Sequence, residues 1–362
     1  MKKYLLSFAV LLGGCLLFSS CSDDDDNKNG KQTFVTVTNG AYVLNEGSYY
    51  SQINGSLSYI DYSSGTITNG LFQSVNGRSL GGTPNSMLLT GGEGYIACTD
   101  ENRVEIVDAH LKSVASVSIT QPREMTTDGE SVFVTSYDGT VSQISCTSHT
   151  VVAKSEVIGA CLEGIAWRNG SLYVCNAYNA DYTYNTNVVK LNAATLKKEK
   201  DITVACNPTS IKASDGALYV LSSGNYGDVQ AQIQKIDASD NVTYLLDGTL
   251  FDICNGTLYV INSVTNWETY QTTTTYTRCD AAGNKTSFTP TQDIVSPCAI
   301  AVDPITGYVF ISSYVMGASG YADYSADGYV CVFDFDNDKS WKYTAGVGPC
   351  TVVFNEVSVI KE

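Results

Sequence analysis

Five of the seven prolines open the same short phrase: TPNSM at Pro84, QPREM at Pro122, NPTSI at Pro208, SPCAI at Pro297 and GPCTV at Pro349. Three residues after each stands an apolar side chain, Met87, Met125, Ile211, Ile300 or Val352. Leu162 with Ile165, and Gly248 with Phe251, keep the phase without a proline, which makes seven beats. A phrase that returns at this period marks a repeat architecture, in which each unit buries its apolar face only against its neighbours.

Two further marks resolve the unit. Tyr95, Phe133, Tyr173, Tyr219 and Tyr259 lie eleven residues after the first mark, and Val309 comes one residue late. Turns rich in Gly, Asp and Asn separate the two marks, as in TTDGES and ASDGA. Alternating β-branched and aromatic residues around such turns predict hairpins. The third mark, Asp61, Asp108, Asp237, Asp280 or Asp334, ends another strand, with Ser145 and Asn192 in the two remaining beats. Short polar side chains there suit hydrogen bonds to the following turn. Each beat thus supplies four short strands over roughly 40 to 50 residues, the size of a propeller blade. The first blade has its second, third and fourth strands in GAYVLNEG, GSLSYID and ITNGLF, but no first strand. GPCTVVF, near the chain's end, supplies it. The chain is therefore predicted to be all-β, a seven-bladed β-propeller over residues 33–362 whose first blade is closed by the C-terminal strand. Such closure removes the exposed edges that an open array would leave.

Met1-Lys2-Lys3 followed by YLLSFAVLLGGCLLFSS reads as a signal peptide over residues 1–20. LGGC fits a lipidation site at Cys15, but apolar Leu16, Leu17 and Phe18 follow it. Cys21 sits at the apolar-to-polar switch and is the preferred lipidation point. Residues 21–32 then form an anchor site and an acidic linker, SDDDDNKNG, whose like charges keep it extended. Removing residues 1–20 takes away Lys2 and Lys3 and no acid, so a formal charge of −16 becomes −18. An acidic body without a basic cluster excludes nucleic acid as a partner. Of the twelve cysteines, most beyond Cys21 lie in apolar runs such as LYVCN and YVCVF, where free cysteine acts as a small hydrophobe. There is no C-x-x-C pair, and DFDNDKSW has Lys339 where a calcium loop needs glycine, so no metal is expected.

In a propeller the loops after each second strand emerge on one face. Here they are long in five blades, as the segments 45–55, 176–186, 222–229, 262–273 and 312–327, which hold ten of the 24 tyrosines and Trp267. Tyrosine offers a flat apolar area with a polar tip at low entropic cost, and asparagine both donates and accepts. The candidate ligand contacts are Asn45, Tyr49, Tyr50, Asn176, Tyr178, Tyr182, Tyr184, Asn225, Tyr226, Trp267, Tyr270, Tyr314, Tyr321 and Tyr324. Around the channel, the positions after the first mark are Asn85, Arg123, Glu163, Thr209, Thr249, Cys298 and Cys350. Arg123 and Glu163 stand on successive blades and pair across the mouth, as a structural ion pair or as a ligand clamp. His110 and His149, the only histidines, fall on the opposite face, and nothing singles out a carboxylate pair such as Glu46 with Asp181. A binding protein without cofactor or catalytic group is expected.

The stretch AYVLNEGSYYSQINGSLSYIDYSSGTITNGLF and the PNSML beat resemble the YncE-like seven-bladed propeller lipoproteins of gut anaerobes. The acidic run behind Cys21 resembles the surface-export signal of such lipoproteins. One branch, the BtuG-type proteins, captures cobalamin and passes it to a TonB-dependent transporter of the outer membrane. The resemblance implies an outer-membrane lipoprotein, held by its lipid and facing the exterior, that binds a corrinoid (vitamin B12). A glycan ligand and a protein-docking role fit the same loops, so the residues leave these three partners open.

Overall fold

Seven antiparallel sheets make up the computed structural model, which describes residues 33–266 and 268–361. The signal peptide, Cys21, the acidic linker and Trp267 lie outside the described residues. The second blade is built from Pro84–Thr90, Glu93–Cys98, Arg103–Val107 and Ser113–Ser118, and the third from Pro122–Thr127, Ser131–Ser136, Val141–Ser145 and Val151–Lys154. The fourth comprises Cys161–Arg168, Ser171–Tyr178, Tyr184–Asn192 and Lys198–Thr203; the fifth, Pro208–Ser214, Ala217–Ser222, Gln232–Ile236 and Val242–Asp247. Leu250–Cys254, Thr257–Asn266, Gln271–Cys279 and Lys285–Ser287 form the sixth, and Ser296–Val302, Val309–Met316, Asp327–Asp334 and Lys339–Val347 the seventh.

The first blade closes the ring. Its order is Pro349–Ile360, Phe34–Asn45, Ser56–Asp61, Thr66–Thr68, so the last strand of the chain lies innermost. Val43 stands directly opposite Val352, and Ala41 opposite Phe354. The expected fourth strand is shorter than ITNGLF: it ends at Thr68, and Leu71–Asn76 is a single helical turn and a half. Gly70 and Gly77 take left-handed backbone at its two ends, and the helix buries Phe72 beside Leu80 and Met87.

The core is not central. It is divided into seven clusters, one per gap between neighbouring blades. Tyr95 packs with Met125 and Val134 between the second and third blades, and Tyr173 with Ile211 and Val220 between the fourth and fifth. The aromatic marks are therefore interblade wedges, their apolar bodies filling the space between twisted sheets. The third marks act as read from sequence. Asp61, Asp108, Asp237 and Asp280 each accept two backbone N–H groups of the next turn, and Asp334 accepts that of Asn337. Ser145 and Asn192 do the same in their blades.

The ten described cysteines beyond Cys21 are all free. Burial pushes the Cys98 thiol up to about 12 and that of Cys331 to about 11, which suits packing rather than reactivity.

At the base, Phe34–Thr38 and Val357–Ile360 continue as a two-stranded ribbon past Asp61, where the neighbouring strand stops. Asp303, from a base turn of the seventh blade, holds this ribbon by accepting the hydroxyls of Thr38 at 2.8 Å and Tyr62 at 3.0 Å. The first blade thus enters from the base and reaches the opposite face at Asn45.

Candidate functional site

Each second strand delivers its following loop to the face opposite the base. Tyr49, Tyr50, Tyr182, Tyr226, Tyr270, Tyr321 and Tyr324 are all at least 60% exposed there, contributed by the first, fourth, fifth, sixth and seventh blades. Three of these rings stand on left-handed backbone: Tyr182 (φ 63°), Tyr226 (φ 56°) and Tyr270 (φ 56°). Glycine or asparagine adopts that conformation more cheaply, and a bulky side chain costs about 1 kcal/mol or more there. Exposed, strained tyrosines in three successive blades bury too little to repay that cost by packing.

The rings form short tracks. Arg123 places its guanidinium carbon 4.5 Å from the centroid of Tyr137 and pairs with Glu163 through two N–H groups, at 3.1 and 3.2 Å. Tyr137 donates its hydroxyl to the same carboxylate. Tyr178 meets Tyr137 edge-on at 6.0 Å, and Tyr182 stacks on Tyr178 at 6.2 Å and 12°. An unbroken aromatic line thus leads from the Arg123–Glu163 pair to the exposed Tyr182. Burial, and then the negative charge of Glu163, raise the Tyr137 hydroxyl well above the usual tyrosine range, so it stays a donor. Tyr184 and Tyr226 make a second edge-on pair at 6.1 Å. The third lies at the seam between first and seventh blades, where Tyr314 and Tyr324 meet at 4.7 Å and Tyr314 donates to Glu46 at 2.8 Å.

Three asparagines read as ligand contacts serve the fold instead. Asn45 is fully buried, donates to Ser56 and Ser58, and accepts the Gly346 N–H at 3.1 Å. Asn176 is buried and donates to Asn187. Asn225 accepts from Gly227 and Val229 and donates to Asp228, so it shapes its own loop. Asp181, considered with Glu46, is spent on Thr183 within the fourth blade. The segment 262–273 is mostly strand rather than loop, because its threonine-rich flanks pair as far as Asn266 with Gln271.

Below the mouth runs the channel, as chambers of about 540 and 730 Å³ that share Lys212, Ala301 and Val352 in their walls. Lys212 reaches Asp252 at 2.6 Å. Glu124, which sequence reasoning passed over, accepts from Asn85 and lines the upper chamber. Burial raises its carboxyl to about 7. Sequence phase missed it because the inner strands bulge after the first mark, with register shifts at Pro84/Ser86, Pro122/Met125, Pro208/Ser210 and Pro297/Ala299. A bulge sets two residues against one and so breaks simple alternation. Tyr137 was missed because its loop is short.

His110 and His149 lie in base turns, and His149 sits 2.9 Å from Glu93. Among the described residues no three His, Cys, Asp or Glu side chains gather as a metal site.

A family model described as a domain of unknown function, DUF5074, matches residues 39–354. The chain belongs to this family. The DUF5074 region spans every blade, beginning within Phe34–Asn45 and ending within the closing strand Pro349–Ile360. Among curated proteins, none matches. Solved structures resemble the DUF5074 chain in fold alone. A Lactobacillus plantarum protein aligns with a TM-score of 0.60 at 15% identity, covering 88% of this chain and 100% of its own. Hydrazine synthase of Kuenenia stuttgartiensis aligns with a TM-score of 0.60 at 16% identity, over 77% of this chain and 95% of that one. Streptogramin B lyase aligns with a TM-score of 0.54 at 11% identity, over 77% and 93%.

Proposed function

We propose that this chain is a capture protein whose tyrosine rim binds a broad amphipathic ligand, and that the ligand is a corrinoid. The observation that carries the reading is the set of exposed tyrosines ringing one face, three of them on backbone that tyrosine adopts only at a cost. Rings presented in this way offer wide apolar contact with hydroxyl tips, which suits a macrocycle with apolar faces and a fringe of amides. The resemblance to YncE-like and BtuG-type lipoproteins supports the same ligand and a TonB-dependent transporter as recipient. Because the first blade enters at the base, a lipid on Cys21 would hold that base toward an outer membrane and leave the rim facing outward.

Calorimetric titration of the purified chain with cyanocobalamin tests this. Saturable binding at micromolar concentration or tighter is expected, and Tyr182→Ala or Tyr226→Ala should weaken it by at least about 1 kcal/mol. No heat and no retained colour at micromolar protein would end the corrinoid reading. Binding to oligosaccharides in its place would pass the rim to glycans.

A further inference from the structure

At the seam, a cleft of about 550 Å³ opens between the first and seventh blades, lined by Glu46, Tyr49, Tyr50, Thr83, Tyr314 and Tyr324. Glu46 is held rigidly at its floor. Its N–H donates to the Gly348 carbonyl at 2.8 Å, and Gly348 itself stands at φ 64°, where a Cβ would meet the Glu46 side chain at 2.6 Å. One carboxylate oxygen accepts the Tyr314 hydroxyl. No lysine, arginine or histidine among the described residues forms a salt bridge with Glu46, whereas Glu105, Glu163, Asp240 and Asp252 each have a cation partner. Around this carboxylate the rings come as two crossed pairs: Tyr314 with Tyr324 at 66°, and Tyr49 with Tyr50 at 84°.

We infer that this cleft is a subsite for an organic cation of the quaternary or alkylammonium class. Ring faces carry partial negative charge and attract cations whose hydration is weak. The single carboxylate adds a full charge at the floor, and an anionic or phosphorylated group would be repelled by it. A hard metal ion needs several oxygen ligands, and no such cluster occurs among the described residues. An ammonium shielded by methyl groups satisfies both parts of the cleft, its charge facing Glu46 and its carbons facing the rings. The inference rests on the rim being a binding face, but not on a corrinoid as its ligand.

The test titrates the purified chain with choline and, in parallel, with 3,3-dimethylbutan-1-ol, which has the same shape without the charge. Choline is expected to saturate one site, with the neutral alcohol at least roughly tenfold weaker. Glu46→Gln and Tyr324→Ala should each weaken choline about fivefold or more. Tyr324 is exposed and away from the seam's backbone bonds, so its variant reports the site even if Glu46→Gln disturbs closure, which circular dichroism would reveal. Absence of saturable choline binding, equal affinity for the neutral alcohol, or unchanged affinity in well-folded Tyr324→Ala overturns the inference. Cyanocobalamin titrated against the same samples separates the two readings. Cobalamin binding without choline binding removes the cation subsite alone, and the converse removes the corrinoid alone.

Discussion

At Glu124 a single proton links the channel to the stability of the whole chain. Burial is the main reason its carboxyl is raised to about 7 from an ordinary 4.5, with Arg123 and Asn85 only partly offsetting it. The folded chain therefore holds this proton more tightly than the unfolded chain does. Its contribution is fully present below about pH 4.5 and is lost as pH rises through about 7. The difference amounts to about 3 kcal/mol across that window. Urea denaturation at pH 5 and pH 8.5 should show wild type losing stability relative to Glu124→Gln as the pH rises, by up to that amount. A gap between the two proteins that does not change with pH would place this carboxylate in bulk-like water. Other single residues were harder to assign from sequence for a spatial reason. Asn45 ends a strand before a long loop, a position that predicts a rim residue, yet its Gly346 partner lies on the far end of the chain.

Among the elements, the inner strands are the most constrained, because all seven converge on the axis. Gly164, in Cys161–Arg168, shows how closely: a Cβ there would lie 2.8 Å from the Ile211 nitrogen and 2.9 Å from the Ser210 Cα of the next blade. Both obstacles are backbone, which cannot turn aside as a side chain can. Gly164→Ala should cost about 2 kcal/mol in chemical denaturation, and a near-neutral result would mean the inner strands have room to part. Strand phase was legible in the sequence because its marks are local backbone chemistry, proline opening a strand and aspartate closing a turn. The bulge after each proline, the helix Leu71–Asn76 and the long sixth-blade hairpin were not, since each depends on how neighbouring blades meet. The rim was legible as a face rich in tyrosine. Its organisation into tracks was not, because Tyr137, Glu46 and Tyr314 gain their meaning from partners on other blades.

For the molecule as a whole, the seam decides whether seven sheets behave as one. Pairing of Phe34–Asn45 with Pro349–Ile360 joins the last sheet to the first, and without it a long strand edge would be bare. Removing residues 349–362 should give a chain that associates in size-exclusion chromatography and lacks a cooperative melt. Adding the peptide PCTVVFNEVSVIKE should restore a monomer. A truncated chain that stays monomeric with its melting point unchanged would show that the closing strand is dispensable.

At the base the Lys361 N–H donates to the Thr33 carbonyl at 2.7 Å, so the two extremities of the described polypeptide run side by side. A short linker could join them, and a cut at the solvent-facing Gly91–Gly92 turn would create fresh termini one sector along the ring. Such a circular permutant would keep every tyrosine where it is while moving the place from which any tether departs. The tilt of the rim against a lipid surface would then become an adjustable variable, independent of the chemistry it presents.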